Sequence, residues 1–287
     1  MNDATIVTLL SLVPKHGTAR AMGGAARTRL PAALHRALLR WYVKTYQVDL
    51  TECVGGIDDY ATLADFFLRP LKPGVRTIDP DPATLVSPVD GRVHTVGVVQ
   101  EGTFSQSADR RGQVAALIGA GDPRVPGALA DEAKKYEGGP YAVIYLSPKD
   151  YHRVHTPTAC AVEGYRYLPG ALWPVFPAAT RKITDLFGRN ERLVFQLRTD
   201  FGEVAFAMIG AFGVGRMSTS IADLTTHTGN PGEARALQPP VALDRAAELG
   251  RFELGSTVIL FGTPGAWRWT VSPGDVVRLG QPIGRRG

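Results

Sequence analysis

The sequence predicts an α+β protein, with a mainly antiparallel β core behind an N-terminal helical region. Two observations carry this. A helical period marks Pro31–Lys44, and beyond residue 80 short β-branched or aromatic runs alternate with Gly, Pro and Asp. A chain of 287 residues with 44% hydrophobic content can bury a substantial core. The expected division is a helical region over 1–60 and a β-rich domain over 61–287, with no internal repeat or low-complexity linker.

Taken in order, the apolar run Ile6–Val13 is interrupted by Thr8 and Ser11 and stops at Pro14, too short to span a bilayer. Asp3, rather than a basic residue, precedes it, which is unlike a signal peptide. Leu9, Leu10, Leu12 and Val13 offer an apolar anchor. From Pro31 to Lys44 the period is helical: Leu34, Leu38, Trp41 and Tyr42 share one face, and Arg36, Arg40 and Lys44 recur on the other. Such a helix lies in a headgroup layer or packs on the protein's own core, and periodicity by itself favours the core. Strands are expected at Val93–Val99, Tyr141–Leu146, Arg192–Arg198, Val204–Ile209, Thr257–Phe261 and Trp267–Val271. Gly229–Pro240, interrupted by Gly and Pro, reads as a loop.

Charge narrows the function classes. The 32 basic and 27 acidic residues leave a formal +5, a modest excess without a dense Lys/Arg block or a nucleic-acid-binding motif. Nucleic acid is not expected as a partner; an anionic phospholipid surface fits better. Cys53 and Cys160 stand far apart, with no Cys/His spacing suited to a metal, so free thiols and no metal are expected.

Chemistry concentrates in three segments. In Glu248-Leu249-Gly250-Arg251-Phe252-Glu253-Leu254-Gly255-Ser256-Thr257, a Gly-Ser step opens an apolar strand. Ser256 can attack the unshielded Gly255 carbonyl in an N-to-O acyl shift. Elimination from the resulting ester, then hydrolysis, leaves an N-terminal pyruvoyl ketone on residue 256, an electron sink that ordinary side chains lack. A serine among glycines also makes an ordinary turn, so the neighbouring motifs matter. Tyr151-His152-Arg153-Val154-His155 places two of the six histidines three positions apart, and histidine suits proton transfer near neutral pH. Ser87-Pro88-Val89-Asp90-Gly91 offers a carboxylate in a tight turn. Asp90, His155 and Ser256 supply the orienter, base and nucleophile of a triad turned on its own backbone. Each histidine alone also serves as a hydrogen-bonded structural residue.

With Phe66-Phe67-Leu68-Arg69-Pro70-Leu71-Lys72-Pro73-Gly74 and Leu12-Val13-Pro14-Lys15, these segments stand in the order and spacing of phosphatidylserine decarboxylases of the prokaryotic type, which the chain resembles over nearly its whole length. It departs at Phe176, where many members carry Asn, and in a looser Arg110–Lys135 stretch. The resemblance implies self-cleavage between Gly255 and Ser256 into residues 1–255 (β chain) and 256–287 (α chain), held together as a heterodimer, with further dimerisation open. It implies conversion of phosphatidylserine to phosphatidylethanolamine and CO2 through a Schiff base on the pyruvoyl group, with His152 serving decarboxylation and His155 mainly maturation. It also implies peripheral attachment to the cytoplasmic side of the cell membrane, so that the Pro31–Lys44 helix meets the bilayer.

The segment Val271–Gly284 looks like a turn of a lipoyl-carrier-type β-sandwich, with Ser87–Val93 as its counterpart. Arg69, Lys72 and Arg76 are candidates for the lipid phosphate or ordinary surface charges, and Gly210–Gly215 allows close backbone approach or is simply a glycine-containing strand. The competing functions are a soluble pyruvoyl-dependent amino-acid decarboxylase, a non-catalytic lipoyl-like membrane adaptor and, more distantly, a serine hydrolase. His16, His35, His94 and His227 have no assigned role.

Overall fold

The structure, a computed structural model, describes residues 15–125, 129–212, 216–229, 231–253 and 257–286. It is α+β, and every strand pair among the described residues is antiparallel. An eight-stranded sheet runs in the order Glu233–Leu243, Cys160–Leu168, Arg192–Thr199, Gly202–Ile209, Thr257–Gly262, Pro140–Tyr145, Gly91–Val98 and Val276–Val277.

Period-two alternation explains why its central strands read as unbroken apolar runs. In Thr257–Gly262, Val258 and Leu260 enter one core while Ile259 and Phe261 enter the other. Val204, Phe206 and Met208 likewise face the first core, and Ala205, Ala207 and Ile209 the second. With both faces covered, no polar alternation is left to see. Each fully buried large apolar side chain contributes roughly 1.5–3 kcal/mol.

A three-stranded sheet of Met217–Thr219, Glu248–Phe252 and Arg153–His155 lies beside the first core, which Leu249, Phe252, Val154 and Met217 join. Gly250 is required there: a Cβ would stand 2.7 Å from the Ser218 carbonyl oxygen and 2.9 Å from Met208 Sδ. A second small sheet pairs Thr84–Val86 and Arg268–Trp269 with Pro282–Arg285.

Among the described residues, three α-helices precede the sheets: α1 (Lys15–Arg27), α2 (Ala32–Tyr46) and α3 (Leu63–Phe67). Thr62 caps α3 by accepting from the Asp65 amide at 3.1 Å. Leu39, Tyr42, Val48, Tyr60, Phe66 and Phe67 form a third cluster that straddles residue 60. The face of α2 therefore divides: Leu39 and Tyr42 turn inward, while Leu34 and Trp41 stay exposed beside Arg36, Arg40 and Lys44. Leu9, Leu10, Leu12 and Val13 lie outside the described residues. No described helix is long and apolar enough to cross a membrane.

Two segments differ from the sequence reading. Glu233–Leu243, within which the Gly229–Pro240 loop was expected to extend, is a strand. It occupies a sheet edge, and its register shifts between Ala236 and Val241, where Pro239 and Pro240 need donate no ladder hydrogen bond. The strand expected at Trp267–Val271 contracts to Arg268–Trp269.

Candidate active site

The fold aligns the histidine motif with the strand that leads to the Gly-Ser step. Arg153 pairs with Arg251, Val154 with Gly250 and His155 with Glu248, and the Phe252 amide donates to the His152 carbonyl at 3.0 Å. Leu254, Gly255 and Ser256 lie outside the described residues, but their neighbours are fixed. The Glu253 amide donates to the Arg216 carbonyl at 3.0 Å, and its carboxylate pairs with Arg27 and Arg216, each at 2.7 Å. Thr257 is buried between Tyr145 and Ile209 in the large sheet.

His152 sits in a rigid loop. The Asp150 carboxylate accepts from the Ser147 amide and hydroxyl, each at 2.7 Å, and Tyr42 of α2 donates to the Pro148 carbonyl at 2.8 Å. Arg69 Nη2 donates to the Lys149 carbonyl at 2.5 Å and the Asp150 carbonyl at 3.1 Å. That same Asp150 oxygen accepts His152 Nδ1–H at 2.8 Å, while Phe67 packs on the ring with centroids 4.0 Å apart. The His152 side chain is fully buried and Nε2 has no hydrogen-bond partner among the described residues. Burial, reinforced by the Arg69 charge, pushes its pKa down to about 3, so the ring is neutral with its lone pair at Nε2.

His155 is also held as a neutral ring. Nδ1–H donates to the Ala246 carbonyl at 2.8 Å, and Tyr151 hydroxyl donates to Nε2 at 3.1 Å. Ala246 adopts a left-handed backbone (φ 59°), uncommon for a residue with a Cβ, and this turns its carbonyl onto the ring. Burial lowers the His155 pKa; the Ala246 hydrogen bond, Glu248 and Asp90 oppose that shift.

Asp90 lies in the turn beside this ring, since the His155 amide donates to the Pro88 carbonyl at 2.9 Å. Its carboxylate is committed elsewhere: Oδ1 accepts from Leu279 N at 2.8 Å and Arg76 Nε at 3.1 Å, and Oδ2 from Arg76 Nη2 at 2.5 Å. Arg76 also pairs with Glu52 at 2.7 Å; though burial opposes its charge, the two carboxylates keep it protonated. The direct Asp90–His155 hydrogen bond of a serine-hydrolase triad is thus not among the bonds the two residues make here. Asp90 reaches His155 through its field, and a backbone carbonyl sets the tautomer.

Other groups take up places in the site that the sequence left open. Arg69 and Arg76 are not surface charges: Arg69 is buried with Nη2 on the Lys149 and Asp150 carbonyls and with Nε and Nη1 lacking a partner among the described residues, Arg76 is held between Glu52 and Asp90, and Lys72 donates to the Thr51 carbonyl at 2.8 Å near the surface. Arg69 and Arg76, with Asp90, Tyr151, Lys149 and Arg278, line a polar cavity of about 170 Å³. Tyr151 stood inside the histidine motif, but only the fold shows that its hydroxyl meets His155.

A family model described as phosphatidylserine decarboxylase matches residues 63–285. Among curated proteins, the chain is 41% identical to a phosphatidylserine decarboxylase proenzyme of Myxococcus xanthus over 286 residues, covering 99% of each chain. A proenzyme of the same name from an Anaeromyxobacter species is 41% identical over 99% of each chain. One from Brevibacillus brevis is 36% identical over 99% of this chain and 98% of its own.

Proposed function

Since the chain belongs to the phosphatidylserine decarboxylase family, we propose that it is a self-processing enzyme converting phosphatidylserine to phosphatidylethanolamine and CO2, with a pyruvoyl group made from its own Ser256. The observation that carries the reading is the antiparallel register of Arg153–His155 on Glu248–Arg251, which sets the proton-transfer motif beside the strand that precedes the Gly-Ser step in sequence.

In maturation, His155 Nε2 takes the Ser256 hydroxyl proton as that oxygen attacks the Gly255 carbonyl. The Ala246 carbonyl keeps the opposite nitrogen protonated, the Tyr151 hydroxyl must turn aside to free the Nε2 lone pair, and Asp90 favours the imidazolium electrostatically. The peptide bond is exchanged for an ester; elimination and hydrolysis then consume water and release ammonia. Residues 1–255 and 256–287 remain together as a heterodimer, because Thr257–Gly262 is sandwiched between two strands of the first chain.

The residues present suit a pyruvoyl group. A buried imidazole with an unpartnered Nε2 stands next to the strand that delivers position 256. When formed, the group supplies an electron sink for the breaking Cα–carboxylate bond. His152 Nε2, a buried lone pair with no partner among the described residues, is placed to accept a hydrogen bond from the substrate headgroup and so orient it for decarboxylation. Arg69 and Phe67 hold that ring in place.

Residues 1–60 place the enzyme peripherally on an anionic bilayer at the cytoplasmic face. Leu34 and Trp41, each 56% exposed, stand beside exposed Arg36, Arg40 and Lys44, the composition of a helix seated among headgroups. That patch favours a lipid substrate over a soluble amino acid. Ser87–Val93 and Val271–Gly284, joined through Gly280 N to Ser87 O at 3.0 Å and Val93 N to Asp275 O at 2.9 Å, are read as a lipoyl-carrier-like pair.

The test is an intact-mass spectrum under denaturing conditions, followed by product analysis with phosphatidylserine and with free serine. Two chains ending at 255 and beginning at 256 with a ketone, and turnover of the lipid alone, support the reading. An active enzyme that stays one chain and resists carbonyl-trapping reagents contradicts it.

A further inference from the structure

At the same end of the large sheet, three residues far apart in sequence converge outside the proton-transfer machinery. One ligand atom from each of His16, Glu191 and His227 lies within 4.8 Å of the other two. His16, on the first turn of α1, stacks on His227 with ring centroids 5.7 Å apart and planes 19° from parallel. Glu191 is 2% exposed; one carboxylate oxygen accepts the Tyr167 hydroxyl at 3.0 Å and the other meets His227 Nδ1 at 3.1 Å.

This contact fixes the His227 tautomer. Nδ1–H is given to the carboxylate, which leaves the lone pair at Nε2, and Nε2 is buried with no hydrogen-bond partner among the described residues. The His227 side chain is only 8% exposed, and its backbone is held in the left-handed region (φ 60°). A histidine with one ring nitrogen tied to a carboxylate and the other bare, its ring stacked on a second imidazole, is an arrangement in which metal-bound histidines are found.

We propose that His16 and His227 bind a divalent transition-metal ion of the zinc type, with Glu191 orienting His227 and balancing charge, and water completing the coordination. Two imidazoles and a nearby carboxylate suit zinc, cobalt or nickel rather than calcium or magnesium. Two nitrogens about 2.0–2.1 Å from one ion need a modest inward turn of the exposed His16 ring. The ion fastens the start of α1 to the sheet end, as the Arg27–Glu253 ion pair at 2.7 Å fastens its other end. Glu191 belongs to that end because its carbonyl accepts the Gly210 amide at 2.8 Å, one residue beyond the Ile209 that pairs with Thr257. Bound metal therefore closes α1 over the strand that follows the Gly-Ser step.

The test uses untagged, chelator-treated full-length protein titrated with Zn²⁺ by calorimetry and with Co²⁺ by visible absorption. One ion per chain is expected, with affinity at least tenfold weaker in His16→Ala and in His227→Gln, and with amide exchange across residues 15–27 slowed by zinc only in the parent. His16 is exposed, so its substitution leaves the core intact and decides the matter if His227→Gln folds poorly. The absence of saturable one-to-one binding, or parental affinity in either folded variant, overturns the proposal.

Discussion

The buried, neutral His152 makes stability depend on pH in a calculable way. Its pKa is 6.5 when unfolded and about 3 in the fold. The folded pKa is the lower one, so the contribution is complete above 6.5 and is lost as the pH falls toward 3, because the unfolded chain takes up a proton that the folded ring refuses. Each pH unit within that window costs about 1.4 kcal/mol, so going from pH 7 to pH 5 removes about 2 kcal/mol through this residue. The assay is urea unfolding at both pH values in a Ser256→Ala background, which keeps one chain and a reversible transition, with and without His152→Asn. His155, whose pKa burial also lowers, is common to both chains and cancels in the difference. The His152-containing chain is expected to lose about 2 kcal/mol more than the variant. Equal losses would refute the claim that this imidazole is buried and neutral.

His155→Ala is expected to slow maturation by roughly 10²–10⁴-fold, the usual contribution of a positioned base, as read from the single-chain fraction on a denaturing gel over time. Asp90→Asn removes a buried partner of Arg76 and should cost about 3 kcal/mol in denaturant unfolding, the low end for a broken buried pair because Glu52 remains; it should also depress the His155 pKa further, as seen by NMR titration. Leu260→Ala, in the central strand, should destabilise by about 2–5 kcal/mol with little direct effect on the chemistry. Trp41→Ala with Leu34→Ala should weaken binding to anionic vesicles at least tenfold, measured by co-sedimentation, while cleavage proceeds normally; undiminished vesicle binding would remove α2 from the membrane contact.

What was legible in the sequence were the features written locally. The central strands declared themselves because both their faces are buried, and the histidine motif because its chemistry fits within five consecutive residues. Glu233–Leu243 was hidden by two prolines that only an edge position and a register shift can accommodate. Helix α1, with three glycines and Met22 as its one large apolar side chain, lacks the composition that would announce a helix. In the site, the groups that escaped notice act through position. Ala246 contributes a carbonyl, which any residue has, and its left-handed backbone leaves no mark on residue type. Arg69 and Arg76 read as solvated charges until long-range contacts bury them. Asp90 stood out as a candidate carboxylate, but its preference for Arg76 and Leu279 over His155 depends on segments remote in the chain.

The placement of Thr257–Gly262 inside the large sheet, with Gly202–Ile209 on one side and Pro140–Tyr145 on the other, has a mechanical consequence. A nick just upstream frees an end without freeing a piece: the short fragment is stitched along both margins and could escape only by unravelling the protein. Covalent continuity at that point is dispensable, so the backbone can be consumed as a reagent while the architecture around it stands.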